Sequence, residues 1–316
     1  MTFIKTIQNK RRIVIGTHFD PDGDAICSSL AIARLVRQHK GYKPTLFCRS
    51  PIPGRYNFLL RNWRFTNRLP AFDLLILIDA PGIDRVFSDY AEHRNRFPSA
   101  RIVNIDHHKS NNRFGALNIL DARASSACEI VYRLFKKSDS RITRILAEIF
   151  YAGIYAETGG FLYPNTTRTA LRTASDLVGF GIDAGAIAKK LNAKTLAGTR
   201  LLSRVLNTIE IQGGVGTMVL TRRMLTDSGA EMVDSENFVS FIQAINGVRV
   251  SVFLREEKNG TRVSLRSDGI TDVDKIARPF GGGGHRLAAG VRMKHPYSAA
   301  RKMILKAIFR KLKKKS

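Results

Sequence analysis

Short, unbroken apolar runs alternate with amphipathic stretches over residues 1–120. Arg12–Thr17 (RIVIGT) predicts a buried strand. Ala25–His39 carries Ile26, Leu30, Ala33, Leu35 and Val36 at helical spacing. Lys43–Cys48 predicts a second strand. Phe72–Ile78 (FDLLILI) is apolar almost throughout, the pattern of a strand covered on both faces. Arg101–Ile105 repeats it. Strands alternating with helices predict an α/β fold with a doubly wound parallel sheet.

Helical periodicity dominates the next stretch, with candidates at Ser125–Phe135, Arg141–Tyr155, Thr167–Gly179 and Ala184–Leu191. Lys194–Ile209 reads as a connecting helix. The texture changes near Gln212. Val215–Leu220, Val248–Arg255 and Thr261–Arg266 are strand-like, and Lys258-Asn259-Gly260 is a hairpin turn signal. Val273–Phe280 and Pro296–Arg310 are helix-like. The expected organisation is a domain over residues 1–192, a linker helix over 193–211 and a smaller α/β C-terminal domain over 212–316. No internal repeat is visible.

Composition narrows the class. The chain has 316 residues, 44% hydrophobic and 25% charged, which are globular values. No apolar run approaches the ~18–20 residues that cross a bilayer, and the N-terminus lacks the apolar core of a signal peptide. Cys27, Cys48 and Cys128 are odd in number and widely spaced, which excludes a disulfide scaffold and fits a reducing cytoplasm. Lys and Arg number 52 against 26 Asp and Glu, so 52 − 26 gives +26. That charge points to polyanionic partners, although a generally basic proteome would give the same figure. The basic tail, Arg310–Ser316, reads as a frayed helix end.

The candidate chemistry lies where the predicted strands end. His18-Phe-Asp-Pro-Asp-Gly-Asp24 places a histidine and three aspartates directly after the first strand. In a doubly wound sheet, the loops beyond the carboxyl ends of the strands form the ligand crevice. An imidazole among hard carboxylates suits Mn²⁺ better than a thiolate-seeking or purely oxygen-bound metal. An Asp/Gly/Pro turn, with Asp24 capping the following helix, accounts for the same residues. FDLLILI runs into Asp79, which read alone is a turn aspartate. Arg101–Ile105 runs into Asp106, His107 and His108. A buried, unpaired carboxylate is costly and one bound to a cation is not. Three strand ends delivering His and Asp to one rim are the geometry of two-metal phosphoester hydrolysis.

HFDPDGD, a lone Asp after LLILI, and DHHKSN, in this order, resemble the DHH phosphoesterase superfamily. Gly153–Phe161 (GIYAETGGF) followed by YPNTT resembles its fourth motif. Phe280–Gly290 (FGGGGHRLAAG) resembles the DHH-associated C-terminal domain. The likeness spans His18 to Gly290. VSLRSDGITDVDKIARPFGGGGH is most similar to the nanoRNase/3′-phosphoadenosine-5′-phosphate phosphatase group. The resemblance implies one metal site of His18, Asp22 and Asp79 and a second of Asp24, Asp79, His107 and the acidic residue of the fourth motif. Asp79 would bridge two cations, usually Mn²⁺, with Mg²⁺ or Co²⁺ as substitutes. Asp106 would orient a histidine, and His108 would face the scissile phosphate. The fourth motif normally carries Asp where this chain has Glu157, which keeps the charge on a longer arm. A solvated loop carboxylate is the alternative reading of Glu157; ligation of the second cation is the expected one.

Four glycines, Gly281–Gly284, precede His285. Such a run ordinarily means a flexible linker, but residues without Cβ also let backbone N–H groups approach a phosphate. The resemblance implies that Gly282, Gly283, Gly284, His285 and Arg266 hold the non-scissile end of the substrate, clamped across a cleft by the C-terminal domain. Gly213–Gly216 and Gly179–Gly181 read as a pre-strand turn and a helix C-cap. His39, His93 and His295 read as surface residues and Trp63 as packing.

The expected activity is a cytoplasmic, Mn²⁺-dependent phosphodiesterase/phosphatase acting on short oligoribonucleotides, linear dinucleotides or 3′-phosphoadenosine 5′-phosphate. No membrane partner is expected, and a homodimer is compatible with the chain. Stand-alone cyclic-dinucleotide phosphodiesterases share the outline, and motifs alone do not separate them. A non-catalytic nucleotide or nucleic-acid binder is the alternative of another class. Charge and Glu157 favour it. The otherwise complete ligand set opposes it, because idle carboxylates would repel one another without compensation.

Overall fold

A computed structural model describes residues 3–87 and 101–313; His93 and the last three residues of the basic tail lie outside them. The described residues fall into two compact units, 1–193 and 194–316. No helix among them is long and apolar enough to cross a membrane.

The first unit opens with helix α1 (Phe3–Gln8), strand β1 (Ile13–Thr17) and helix α2 (Gly23–Lys40). Strand β2 (Thr45–Phe47), helix α3 (Asn57–Leu60) and the short strand β3 (Phe65–Thr66) follow, then β4 (Leu74–Ile78), β5 (Arg101–Asp106) and β6 (Leu117–Leu120). Helices α4 (Ala127–Lys137), α5 (Arg144–Glu157), α6 (Arg168–Val178) and α7 (Ala184–Asn192) complete it. The six strands pair in the order β3-β2-β1-β4-β5-β6, and every pairing is parallel. Alternate side chains enter two separate cores. Ile13, Ile15, Ile76 and Ile78 pack on the helices of one face, and Val14, Leu75 and Leu77 on Ile83, Val86 and Phe87 of the other. Double coverage is why these strands read as continuous apolar runs.

Helix α2 is buried from Gly23 to Ala33 and packs against α4 and α5. Its N-cap is Asp22, whose carboxylate accepts the Ala25 N–H at 3.0 Å; Asp24, the cap in the alternative turn reading, is the second residue of the helix and is wholly buried. Gly41, at φ +75°, closes the helix. Trp63 is buried in the core of this unit, the packing role expected of it.

The second unit contains α8 (Leu196–Leu206), β7 (Glu210–Gln212), β8 (Val215–Leu220), α9 (Arg222–Ser228), α10 (Val239–Gln243), β9 (Val250–Glu257) and β10 (Gly260–Ser267). It ends with α11 (Asp274–Ala277), β11 (Gly283–His285), β12 (Ala288–Met293) and α12 (Tyr297–Lys313). Its sheet runs β11-β12-β10-β9-β8-β7; only the β8–β9 pairing is parallel. The β9–β10 hairpin turns at Lys258 and Asn259. Helix α8, expected as a linker helix, buries Leu201 and Val205 against Met218, Leu220 and Phe238. An amphipathic helix needs a surface for its apolar stripe, and this one finds it in the second unit.

Candidate metal centre

In the first unit the chain runs from β1 outward to β2 and β3, then returns to β4 on the other side of β1. The strand order reverses there, and open α/β sheets present ligands at such a point. Thr17 Oγ1 donates to Ile78 O at 3.0 Å, tying the two strand ends together. His18, Asp22 and Asp24 follow β1, Asp79 follows β4, and Asp106 ends β5 with His107 and His108 after it. Glu157 is the last residue of α5.

Asp79 stands between two groups. Its Oδ2 lies 3.7 Å from His18 Nε2, which is 4.0 Å from Asp22 Oδ2. Its Oδ1 lies 3.4 Å from His107 Nε2. That nitrogen is in turn 3.8 Å from Asp24 Oδ2 and 3.9 Å from Glu157 Oε1. The six residues assigned to the metals are thus brought together, with one oxygen of Asp79 toward each group. Donor atoms of His18, Asp22 and Asp79 lie within 4.8 Å of one another, as do those of Asp79, His107 and His108. His108 is the weaker candidate ligand of its group, because its Nδ1 is held by Asp106 Oδ1 at 2.6 Å.

Asp24 is seated by α4. Ala127 N–H donates to its Oδ2 at 2.6 Å and Cys128 N–H to its Oδ1 at 2.8 Å. Both belong to the first turn of α4, whose N-cap Ser126 accepts from Glu129 N–H. A helix N-terminus offers unpaired donors and a positive dipole end to a carboxylate. Gly153, from the fourth motif, lets α5 approach closely: a Cβ there would stand 2.2 Å from Cys128 Sγ.

The titration of the cluster follows from burial and crowding. Burial works to lower the pKa of His18, but the adjoining Asp79 and the charge of Asp22 carry it up to about 9. His107 moves the same way, burial being outweighed by Asp79, Glu157 and Asp24. Burial and the neighbouring Asp79 push Asp24 up to about 8. Burial and Asp22 raise Glu157. Burial would raise Asp79 too, yet His107 and His18 hold it well below the usual carboxylate range.

These residues fit divalent cations. Asp79 Oδ1 is buried and makes no hydrogen bond of ordinary geometry, its nearest imidazole nitrogens standing at 3.4 and 3.5 Å. Mixed imidazole and carboxylate donors suit divalent first-row metal ions.

The substrate residues expected in the second unit are arranged differently from the sequence reading. Gly283, Gly284 and His285 form β11, paired with β12, so the glycines are part of a strand rather than a free loop. A Cβ on Gly282 would stand 2.4 Å from Gly290 O, and Gly284 N–H donates to Asp274 Oδ1 at 3.0 Å. Close approach to β12 therefore already accounts for the small residues. Arg266 lies on β10, opposite Ala288; the side chain of His285 lies outside the described residues. Sequence reading missed the α4 donors to Asp24, and it missed Asn104 and Asn111, which bond behind the DHH turn. A polar Asn104 inside an apolar strand run was the available signal.

Known proteins resemble this chain over most of its length. Residues 12–154 match the model of the DHH family, N-terminal domain, and residues 215–314 match the DHHA1 domain. The bifunctional oligoribonuclease and PAP phosphatase NrnA of Thermus thermophilus is 34% identical over 89% of this chain and 84% of its own length. The Bacillus subtilis protein of the same name is 29% identical over 91% of each. An exopolyphosphatase-related protein from Bacteroides fragilis superimposes with a TM-score of 0.87 at 27% identity, covering 98% of this chain and 94% of that one.

Proposed function

Because the chain belongs to the DHH family of phosphoesterases, and is therefore a metal-dependent hydrolase, we propose that it cleaves short oligoribonucleotides and linear dinucleotides and removes the 3′-phosphate of 3′-phosphoadenosine 5′-phosphate, using two Mn²⁺. The observation that carries this reading is the placement of Asp79 between two imidazole–carboxylate groups at the strand-order reversal. The names of the Thermus and Bacillus relatives support the substrate class.

His18, Asp22 and Asp79 would hold one cation; Asp24, Asp79, His107 and Glu157 the other. Cations so held lower the pKa of water and neutralise charge developing on phosphoryl oxygens. The protein does the rest by position. The N-terminus of α4 keeps Asp24 aimed inward. Asp106 accepts a hydrogen bond from His108 Nδ1, which orients the ring and would turn Nε2 toward the substrate. His108 would then meet the scissile phosphate or its leaving oxygen. In the second unit, Arg266, Gly282, Gly283, Gly284 and His285 are assigned to the nucleotide's non-scissile part.

The test is a side-by-side digest, with Mn²⁺, of a linear dinucleotide, a 5-mer RNA, 3′-phosphoadenosine 5′-phosphate and a cyclic dinucleotide. Hydrolysis of the first three, well ahead of the fourth, is expected. Preference for the cyclic substrate would replace this reading with a cyclic-dinucleotide phosphodiesterase.

A further inference from the structure

Behind the DHH turn lies a side chain that the two metal groups do not use. Asn111 N–H donates to His108 O at 3.2 Å, closing a turn that folds the Asn111 side chain back beneath Asp106. Its Nδ2 donates to Asp106 Oδ2 at 2.6 Å and to Asn104 Oδ1 at 2.7 Å, and lies 3.2 Å from Ala80 O. Its Oδ1 accepts the Arg113 N–H at 2.7 Å. That acceptor contact sets the orientation of the amide, so the donor end must face Asp106.

Each neighbour is itself fixed. Asn104 is wholly buried on β5, and its amide reaches Ala80 O at 3.2 Å and Leu77 O at 3.4 Å. Asp106 is 1% exposed. Its Oδ1 takes His108 and its Oδ2 takes Asn111. A buried carboxylate with one oxygen unsatisfied would turn or shift to find a donor. Only with Oδ2 pinned does Oδ1 stay where it holds the His108 ring. The chain Asn104–Asn111–Asp106–His108 runs from the rigid sheet to the imidazole through hydrogen bonds between side chains.

We propose that Asn111 is a positioning residue for hydrolysis, acting through Asp106 to hold the His108 ring at the angle that presents Nε2 to the phosphate. This rests on the assignment of His108 to the scissile phosphate made above. Outer partners of this kind are typically worth about 10- to 100-fold.

A double-mutant cycle on Mn²⁺-loaded protein tests it, with a linear dinucleotide as substrate and kcat and KM measured separately. The variants are Asn111→Ala, His108→Ala and both together. A Mn²⁺-dependent rise in thermal midpoint, followed for each variant, shows that the centre still loads cation. Asn111→Ala is expected to lower kcat by about 10- to 100-fold with KM within about twofold. In the His108→Ala background it should cost almost nothing more, because the group it positions is gone. Asn111→Asp keeps the shape and removes the donor; it should lose kcat likewise, and it serves if the alanine variant does not fold. Losses that multiply in the double variant, or a loss confined to KM, would overturn the role of Asn111 while leaving His108 in place. Unchanged kcat in His108→Ala would instead remove His108 from the mechanism, and the role of Asn111 with it.

Discussion

At Asp79 the backbone takes φ +56° and the residue is 1% exposed. A left-handed aspartate is uncommon and costs some conformational energy. Here the Asp79 N–H bond to Ile105 O at 2.9 Å holds it in place. The reward is a carboxylate whose two oxygens face opposite groups, so its loss should be felt at both. Asp79→Ala is expected to abolish metal-dependent hydrolysis while leaving the far-ultraviolet circular dichroism unchanged. Near-normal turnover in metal-loaded Asp79→Ala protein would refute the bridging assignment. Glu157 can be tested in the same way by titrating Mn²⁺ against activity. If it is a ligand, Glu157→Gln loses an anionic oxygen, so the curve should move to higher Mn²⁺ with a lower plateau. Glu157→Asp, the residue usual in the family, should be milder. Superimposable curves for wild type and Glu157→Gln would take Glu157 out of the centre.

Among the elements, Gly282 gives the sharpest test. A Cβ there would meet Gly290 O at 2.4 Å and the Val291 Cβ at 2.6 Å, both on β12, which cannot yield without breaking its pairing with β10. Gly282→Ala is expected to destabilise the second unit by about 1–3 kcal/mol, read as a lower urea midpoint. An unchanged midpoint would mean that β11 can move away from β12 freely. The same element marks where sequence reading stopped. Runs such as LLILI reported their strands, because burial on both faces leaves a continuous apolar record, and the polar residues ending β1, β4 and β5 marked the rim. The residues Phe65 and Thr66 of β3, or the half-buried Leu117–Leu120 of β6, carry no such record. Nor does a glycine run show that its neighbour is a strand 2.4 Å from where a Cβ would be. The hold of α4 on Asp24 joins residues 103 and 104 positions apart, and Asn111 bonds to Asp106 only through a turn. Such contacts exist in space before they exist in any local pattern.

For the whole molecule, protons and cations compete for one cluster in the first unit. Without metal, His18 at about 9 and Asp24 at about 8 both hold protons at neutral pH. Both pKa values are raised above their unfolded values. The stability they contribute is therefore complete below those unfolded values and is lost progressively as pH rises from them to about 8 for Asp24 and about 9 for His18. Asp79, held low, contributes stability that is lost only in acid and does not alter this window. Cation binding requires the ligands deprotonated, so it must expel these protons, and its affinity must grow over the same range. Each proton released makes binding more favourable by about 1.4 kcal/mol per pH unit. At 100-fold excess over Kd, a cation stabilises the folded state by about 2.7 kcal/mol. At a fixed Mn²⁺ concentration, the rise in thermal midpoint of the first unit should thus be larger at pH 8 than at pH 7. Metal-free protein should move the other way. Calorimetry in buffers of different ionisation enthalpy would count the protons released on binding. A stabilisation independent of pH, with no protons released, would mean that the cation binds elsewhere or that His18 and Asp24 are not its ligands.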